Sequence, residues 1–227
     1  MLNTRKKFMA CLAVAAACAA VPSVATAEGD GPLGGLTAQW WQWALSIPSA
    51  QNPLTDDDGS RCMIGQRGPY WFLAGGFFQN APIVRHCNVP EGATLFFPAM
   101  NYGNIAVPAC DGVVQTVADL RAGAKQFMDT VTDVKVTLDH HPIPVLGRMK
   151  SRPFSVVMPQ GDLFSVAFNL DCVVPGQVYS PAVDDGIYAM VTDLSAGKHT
   201  LRIKARNAAQ GLNTDTTYHL TVVETLP

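Results

Sequence analysis

The stretch that decides the fold is LSAGKHTLRIKA, residues 194–205, followed after a polar turn by TTYHLTVV, residues 216–223. In the first stretch Leu201, Ile203 and Ala205 alternate with polar side chains, which is the period-two pattern of a strand with one buried face. The small residues 195–197 predict a turn before this strand. The two stretches together predict a pair of strands at the C-terminal end.

Short strands are also predicted across the rest of the chain. They cover residues 70–78, 93–98, 134–138, 154–158, 163–168 and 187–191. Strands that recur about every 8–12 residues, with turns between them, are typical of an antiparallel sandwich. We therefore expect a mainly β fold, an antiparallel β-sandwich of the immunoglobulin-like or jelly-roll-like kind, with two accessory helices.

Both accessory helices are expected in the N-terminal half. Thr37 can cap the first helix and Pro48 ends it; its apolar side chains lie nearly all round, as in a helix that packs into a protein. The second helix begins with a capping-box pattern at Thr116 and Asp119. Its apolar stripe, at helical spacing, consists of Val117, Leu120, Ala124, Phe127, Met128 and Val131.

The N-terminal residues have the pattern of an export signal. Arg5, Lys6 and Lys7 precede an uncharged run that ends at 25–27, Ala-Thr-Ala, the small-x-small form of a signal peptidase site. The alternative is a membrane anchor, but the run is rich in alanine and contains Pro22. We expect residues 1–27 to be a signal peptide cleaved near Ala27, and the mature chain to be secreted or periplasmic.

The mature chain, residues 28–227, is expected to form a single disulfide-bearing domain. Its aromatic-rich part with the helices covers 28–131, and its immunoglobulin-like strands cover 132–227. The whole chain has a formal net charge of −2, and the signal removes only basic charges. Nucleic acid is therefore not expected as a partner, because binding it needs a basic patch. No later stretch is apolar and long enough to predict a membrane span.

Four cysteines remain after the signal is removed, and they predict two disulfides in an oxidising compartment. They are Cys62, Cys87, Cys110 and Cys172. Three connectivities are possible. We favour Cys62 with Cys87 and Cys110 with Cys172, because the first pair closes a short loop around one predicted strand. One bridge with two free thiols is the alternative, and zinc is disfavoured because no pair has Cys-x-x-Cys spacing.

Five stretches resemble an uncharacterised family of secreted bacterial β-sandwich proteins. They are WWQWALSIP (40–48) with Asn52-Pro53, GPYWFLAG (68–75), CNVPEG (87–92) leading to LFFP (95–98), YSPAVDDG (179–186) and GKHT (197–200). The segments 194–205 and 218–222 also resemble the last two strands of bacterial immunoglobulin-like domains. These resemblances imply a fold and transfer no catalytic residue.

Two places have residue types that bind metals. Asp56 and Asp58, in an acidic turn, could supply ligands to calcium, although the EF-hand spacing is missing. We favour a solvated acidic turn without a bound ion over this calcium site. His140 and His141 suit zinc or copper, but adjacent strand residues point to opposite faces, and a hairpin turn accounts for the pair. No cofactor motif is present, so we expect no cofactor, with calcium at the acidic turn as the alternative.

A binding function is predicted, with catalysis as an alternative. No Gly-x-Ser-x-Gly elbow is present, and a glycosidase would have to draw its carboxylates mainly from aspartates. Arg85 and His86 near Asp171 would favour a hydrolase or lyase acting on a polymer. Trp41, Tyr70 and Trp71 offer flat apolar faces to an extracytoplasmic ligand such as a glycan, a peptide or an envelope component, unless they fill the core. A structural envelope protein is the third option.

Overall fold

The computed structural model describes residues 33–77 and 81–224. The expected signal peptide and its cleavage site near Ala27 lie outside these residues. The fold is mainly β, with two mixed sheets and four α-helices among the described residues. No described helix is long and apolar enough to cross a membrane.

The elements follow one another in an order that interleaves the two sheets. The strands are β1 (Tyr70–Phe72), β2 (Ile83–Pro90), β3 (Thr94–Ile105), β4 (Val131–Leu138), β5 (His141–Pro142), β6 (Gly147–Lys150), β7 (Phe154–Val157), β8 (Val178–Val191), β9 (Gly197–Asn207) and β10 (Leu212–Val223). The α-helices are α1 (Gly34–Leu45), α2 (Pro108–Asp111), α3 (Val117–Met128) and α4 (Leu163–Phe168). Three single-turn 3₁₀ helices lie at Ser49–Gln51, Pro53–Thr55 and Ala208–Gln210.

The first sheet has the order β1-β3-β8-β6, and β7 pairs with another part of the long strand β8. The second sheet has the order β2-β10-β9-β4-β5. Each sheet contains one parallel pair, β1 with β3 and β2 with β10. The expectation of purely antiparallel sheets is therefore wrong, because strands from the N-terminal part add to sheet edges in the parallel direction.

Apolar clusters lie on both faces of the first sheet. Phe97 of β3 belongs to a cluster with Leu201 and Leu220 of the second sheet, so the two sheets pack against each other. Its neighbour Phe96 points the other way and packs with Trp40 of α1. The result is a sandwich-like arrangement with α1 on the outer face of the first sheet, while the immunoglobulin-like and jelly-roll-like topologies stay predictions.

α3 begins at its expected cap Thr116, whereas α1 begins at Gly34, and the prediction that Thr37 caps it is wrong, because the Thr37 hydroxyl lies inside the helix and donates to the Gly34 carbonyl. α1 is buried nearly all round, and the capping box of α3 forms between Thr116 and Asp119. A Cβ on Gly123 would lie 2.9 Å from the side-chain nitrogen of Asn104. Glycine inside α3 costs about 1 kcal/mol relative to alanine, and here it permits close packing of the helix on β3.

One local prediction, a strand at residues 163–168, is wrong, and another, the disulfide pairing, is confirmed. Residues 163–168, predicted as a strand, form the helix α4, because the Asp162 carboxylate accepts hydrogen bonds from the amides of Phe164 and Ser165 at the helix start. The cysteines pair as the sequence favours. Cys62 is bonded to Cys87, and Cys110 to Cys172.

Candidate functional site

A cleft of ≈ 180 Å³ opens between α1, the middle of β3, the helices α3 and α4, and the start of β10. Aromatic rings from five segments line most of it. They are Trp40, Trp41, Phe77, Tyr102, Phe127, Phe164 and Phe168. Besides these rings, the polar side chains among the described lining residues belong to Asn101, Asn213 and Thr214. The cleft is thus an apolar site with a few hydrogen-bonding groups.

Ring-to-ring contacts fix the walls of the cleft. The rings of Phe77, Phe164 and Phe168 form a triangle with centroid distances of 5.9–6.1 Å. Across the cleft, Tyr102 of β3 stacks on Phe127 of α3 at 4.5 Å. Such pairs contribute about 0.5–1.5 kcal/mol beyond the area they bury, so each wall is held by its own contacts.

A buried hydrogen-bond network lies behind the Trp41 wall. The indole Nε1 of Trp41 donates to Oδ1 of Asp184 at 2.6 Å, and the hydroxyl of Tyr188 donates to Oδ2 at 2.8 Å. Asn101 in turn donates to the Tyr188 hydroxyl at 2.9 Å. Because Trp41 and Asn101 both line the cleft, the network holds two of its lining side chains in place.

The carboxyl group of Asp184 is fully buried, and its burial raises its pKa to about 8. Desolvation is the largest cause, since an ionised carboxylate loses its water shell in the core. The hydrogen bonds that Trp41 and Tyr188 donate lower the pKa of Asp184, but by less than burial raises it. The adjacent Asp185 carboxylate instead binds the guanidinium of Arg148 through two 2.7 Å contacts. Neighbouring acidic residues therefore have different surroundings.

The three predicted aromatic ligand-binding residues do not form one platform. Trp41 lines the cleft and is buried, with 6% of its surface exposed. Tyr70 and Trp71 lie in a separate shallow depression beside Pro90 and Glu91. The indole Nε1 of Trp71 is buried without a hydrogen-bond partner.

Asp56 and Asp58, the predicted calcium ligands, hold a turn. The buried carboxylate of Asp56 accepts hydrogen bonds from the amides of Gly59 and Arg61, and that of Asp58 accepts one from Ser60. The described residues contain no group of three or more His, Cys, Asp or Glu side chains arranged for a metal ion. Calcium binding at this turn stays a hypothesis, and it would compete with these amide bonds.

Arg85 and His86, which were considered for a catalytic centre, point away from each other. Arg85 and His86 are neighbours on β2, so their side chains point to opposite faces. Arg85 is fully buried and donates to the carbonyls of Asp56 and Ala74 and to the Tyr218 hydroxyl. His86 is exposed on the outer face. They therefore do not converge on one substrate.

A hydrogen-bonded group, called the clamp below, joins His199 to Asp139 on one side and to Ser195 on the other. The order of these side chains resembles a catalytic triad, but their bonding is structural. Nδ1 of His199 bonds Asp139 Oδ2 at 2.7 Å, and Nε2 lies 3.2 Å from the Ser195 hydroxyl and 2.9 Å from the Ser195 carbonyl. A carbonyl only accepts, so Nε2 carries a proton, and a carboxylate favours one on Nδ1 as well. The raised pKa of His199 favours this form with both nitrogens protonated, which does not take a proton from serine. His140 and His141 lie at the exposed turn nearby.

Several cleft residues were not singled out by the sequence. Phe164 and Phe168 lie four residues apart, which is helical spacing, and this spacing could have indicated α4. Asp184 lies at a buried position of β8. An acidic residue at that position interrupts the alternation of apolar and polar side chains by which a strand is predicted. Tyr102 and Asn101 follow Pro98, where the predicted strand stopped although β3 continues.

The fold and the cleft together define a mainly β, disulfide-bonded protein with an aromatic site. No family model, no curated protein and no solved structure matches the chain. The resemblance to secreted bacterial β-sandwich proteins therefore stays a prediction.

Proposed function

We propose that this protein is an exported binding protein whose cleft holds a small apolar ring or chain end of its ligand. The observation that carries this proposal is the aromatic cleft of ≈ 180 Å³. Small-molecule sites are typically lined by apolar and aromatic side chains with a few placed polar groups. A dry apolar cavity of about 150 Å³ accepts benzene, so the cleft has room for one ring.

The composition of the cleft favours binding over catalysis. Among its described lining residues, Tyr102 is the one titratable group, and no Asp, Glu, His, Lys, Arg, Ser or Cys is present. General acid–base and nucleophilic chemistry draw on those residue types. Asp184 lies behind the wall, fully buried, with both oxygens engaged by Trp41 and Tyr188. The cleft can therefore hold a ligand but offers little to transform it.

Exposed apolar side chains also lie close in sequence to one wall of the cleft. The segment that contributes Phe164 and Phe168 to its wall also carries exposed apolar side chains, namely Val166, Leu170, Val174 and Val178. Exposed apolar patches mark interaction sites more often than chance placement does. This surface favours an apolar ligand, such as the apolar part of an envelope component, over a glycan.

Export is part of the proposal. The basic start, the uncharged run and the Ala25-Thr26-Ala27 sequence match a cleavable signal peptide. The two disulfides support it, since such bonds persist in oxidising compartments outside the cytoplasm. The mature protein would meet its ligand in the periplasm or beyond the cell.

NMR titration of residues 28–227 with indole-labelled tryptophan tests the ligand class. Phenol and cyclohexanol are the apolar probes, and methyl glucoside is the sugar probe. We expect the apolar probes to shift the Trp41 indole resonance in a saturable way and to leave Trp71, which lies in the separate depression, unchanged. Phe168→Ala should weaken binding about tenfold through the lost ring contact.

Val84→Ala is the matched control, because it removes an exposed apolar side chain of β2 that neither lines the cleft nor belongs to the apolar surface beside it. It should bind like the wild type. A response to methyl glucoside alone, an equal response of Trp41 and Trp71, or no saturable shift would overturn the proposal.

A further inference from the structure

A second, polar groove lies on the outer face of the second sheet. It encloses ≈ 660 Å³ and is lined by outward residues of β2, β9 and β10 together with the segment 59–63. It shares no lining residue with the aromatic cleft. Whatever this groove binds is therefore independent of the proposed cleft ligand.

Three histidines line the groove, and two of them lie side by side, whereas the third, His199, is hydrogen-bonded to Asp139. His86 of β2 and His219 of β10 are paired in the parallel ladder, and both side chains are exposed. Their ring centroids are 5.0 Å apart, with an angle of 29° between the planes. Imidazole nitrogens bind a metal ion at about 2 Å. Small rotations of two exposed rings at this separation bring one nitrogen of each to a shared ion.

Met63 adds a sulfur ligand to the same groove. The Cys62–Cys87 disulfide, with a Cα–Cα distance of 6.0 Å, ties the two backbones together one residue from Met63 and one residue from His86. The Met63 side chain lines the groove and is 56% exposed. An unbranched thioether is flexible enough to turn toward the two imidazoles.

The chemistry of these side chains selects the metal. Among the described residues that line the groove there is no Asp or Glu, so calcium and magnesium lack their oxygen ligands. Cys62 and Cys87 are committed to their disulfide, which removes thiolates. Thioether and imidazole groups suit monovalent copper. The ammonium group of Lys198, in the same groove, also disfavours ions of higher charge.

We infer that His86, His219 and Met63 form a binding site for one Cu⁺ ion. The histidines supply two nitrogen ligands from neighbouring strands, and the methionine supplies sulfur from the segment 59–63. The site requires neutral imidazoles, so protons compete with copper for the two histidines.

Competition with the coloured Cu⁺–bicinchoninate complex tests the site. The mature protein is titrated without oxygen and with ascorbate as reductant, since a thiol would reduce the disulfides. The wild type should remove one copper ion per chain. His86→Ala and His219→Ala should each weaken binding at least tenfold, and Met63→Leu should weaken it with little change in side-chain volume. His141→Ala, an exposed histidine outside the groove, is the matched control.

Three results would overturn the inference. They are failure of the wild type to take copper, unchanged uptake by the His86→Ala/His219→Ala double variant, and heat from inorganic phosphate without copper transfer. The last result would assign the groove to anions, whose binding strengthens rather than weakens as the histidines gain protons. Far-UV circular dichroism of each variant checks that the sheets remain folded.

Discussion

The indole of Trp41 and the carboxyl group of Asp184 meet through a 2.6 Å hydrogen bond although 143 residues separate them in the chain. The bond joins the N-terminal helix to the long strand β8 at the back of the cleft. Its donor lines the cleft, and its acceptor is fully buried. Stability and the shape of the cleft are therefore coupled at this contact.

Trp41→Phe should destabilise the protein by about 1–3 kcal/mol. The variant keeps an aromatic ring but leaves Oδ1 of Asp184 buried without its donor, which costs roughly that amount. Trp71→Phe is the matched control, because the Trp71 Nε1 has no hydrogen-bond partner to lose. Urea unfolding of both variants measures the difference, and equal losses would show that the bond contributes nothing.

Asp184→Asn should flatten the pH dependence of stability. The pKa of about 8 for Asp184 lies above that of a carboxyl group in an unfolded chain. The folded protein thus keeps a proton that the unfolded chain releases above pH about 4. Stability is highest on the acid side and falls as the pH rises toward 8, by at most about 1.4 kcal/mol per pH unit.

Asparagine does not titrate, so this fall should be absent from the Asp184→Asn variant. Urea unfolding of wild type and variant at pH 5, 6.5 and 8 gives the difference in slope, and contributions from all other groups cancel. Parallel slopes would mean that Asp184 is ionised throughout this range.

Some elements were predictable from the sequence because their buried faces are apolar. The strand β9 alternates Leu201 and Ile203 with polar residues, and α3 carries both its stripe and its capping box. The disulfide pairing followed from chain spacing. In each of these cases the local pattern and the tertiary environment agree.

Other elements were not predicted because their buried positions hold ionisable side chains. β2 places Arg85 at an inward position, where its partners are carbonyls and a hydroxyl from distant segments. β8 buries Asp184 and Asp185, so the predicted strand began only at Ile187. The stabilising partners of these residues lie far away in the chain, and period-two patterns do not reveal them. For the same reason Trp41 was predicted for the site but its bond to Asp184 was not.

Gly103→Ala should displace the Trp41 ring. A Cβ at this position would lie 2.7 Å from Cε2 of the indole, which is too close for contact. We expect a loss of about 1–3 kcal/mol, as for overpacked cores, and a shift in tryptophan emission. Gly35→Ala is the control, because no heavy atom lies within 4 Å of its Cβ position and the residue lies in α1. The control should be neutral or more stable, and similar losses in both variants would contradict the argument.

The clamp between His199 and Asp139 predicts a titration that can be observed directly. The hydrogen bond that His199 donates to Asp139 raises the pKa of His199, and the bond to the Ser195 carbonyl adds to this effect. The same bond to His199 lowers the pKa of Asp139. NMR titration should therefore find His199 above the ordinary value of about 6.5 and should find a lower pKa in an Asp139→Asn variant.

The two shifts define the pH range in which the clamp stabilises the fold. The histidine contribution is complete below pH about 6.5 and is lost as the pH rises through the raised pKa of His199. The aspartate contribution is complete above pH about 4 and is lost as the pH falls through the lowered pKa of Asp139. The clamp is thus strongest between these values.

Because 46% of the Asp139 side chain is exposed, solvent screens the pair, and His199→Gln should cost no more than about 1 kcal/mol near pH 5.5. The cost should shrink by pH 9, where the wild-type imidazole is neutral. A His199 pKa that does not respond to Asp139→Asn, or a cost that grows toward pH 9, would show that the clamp is not ionic.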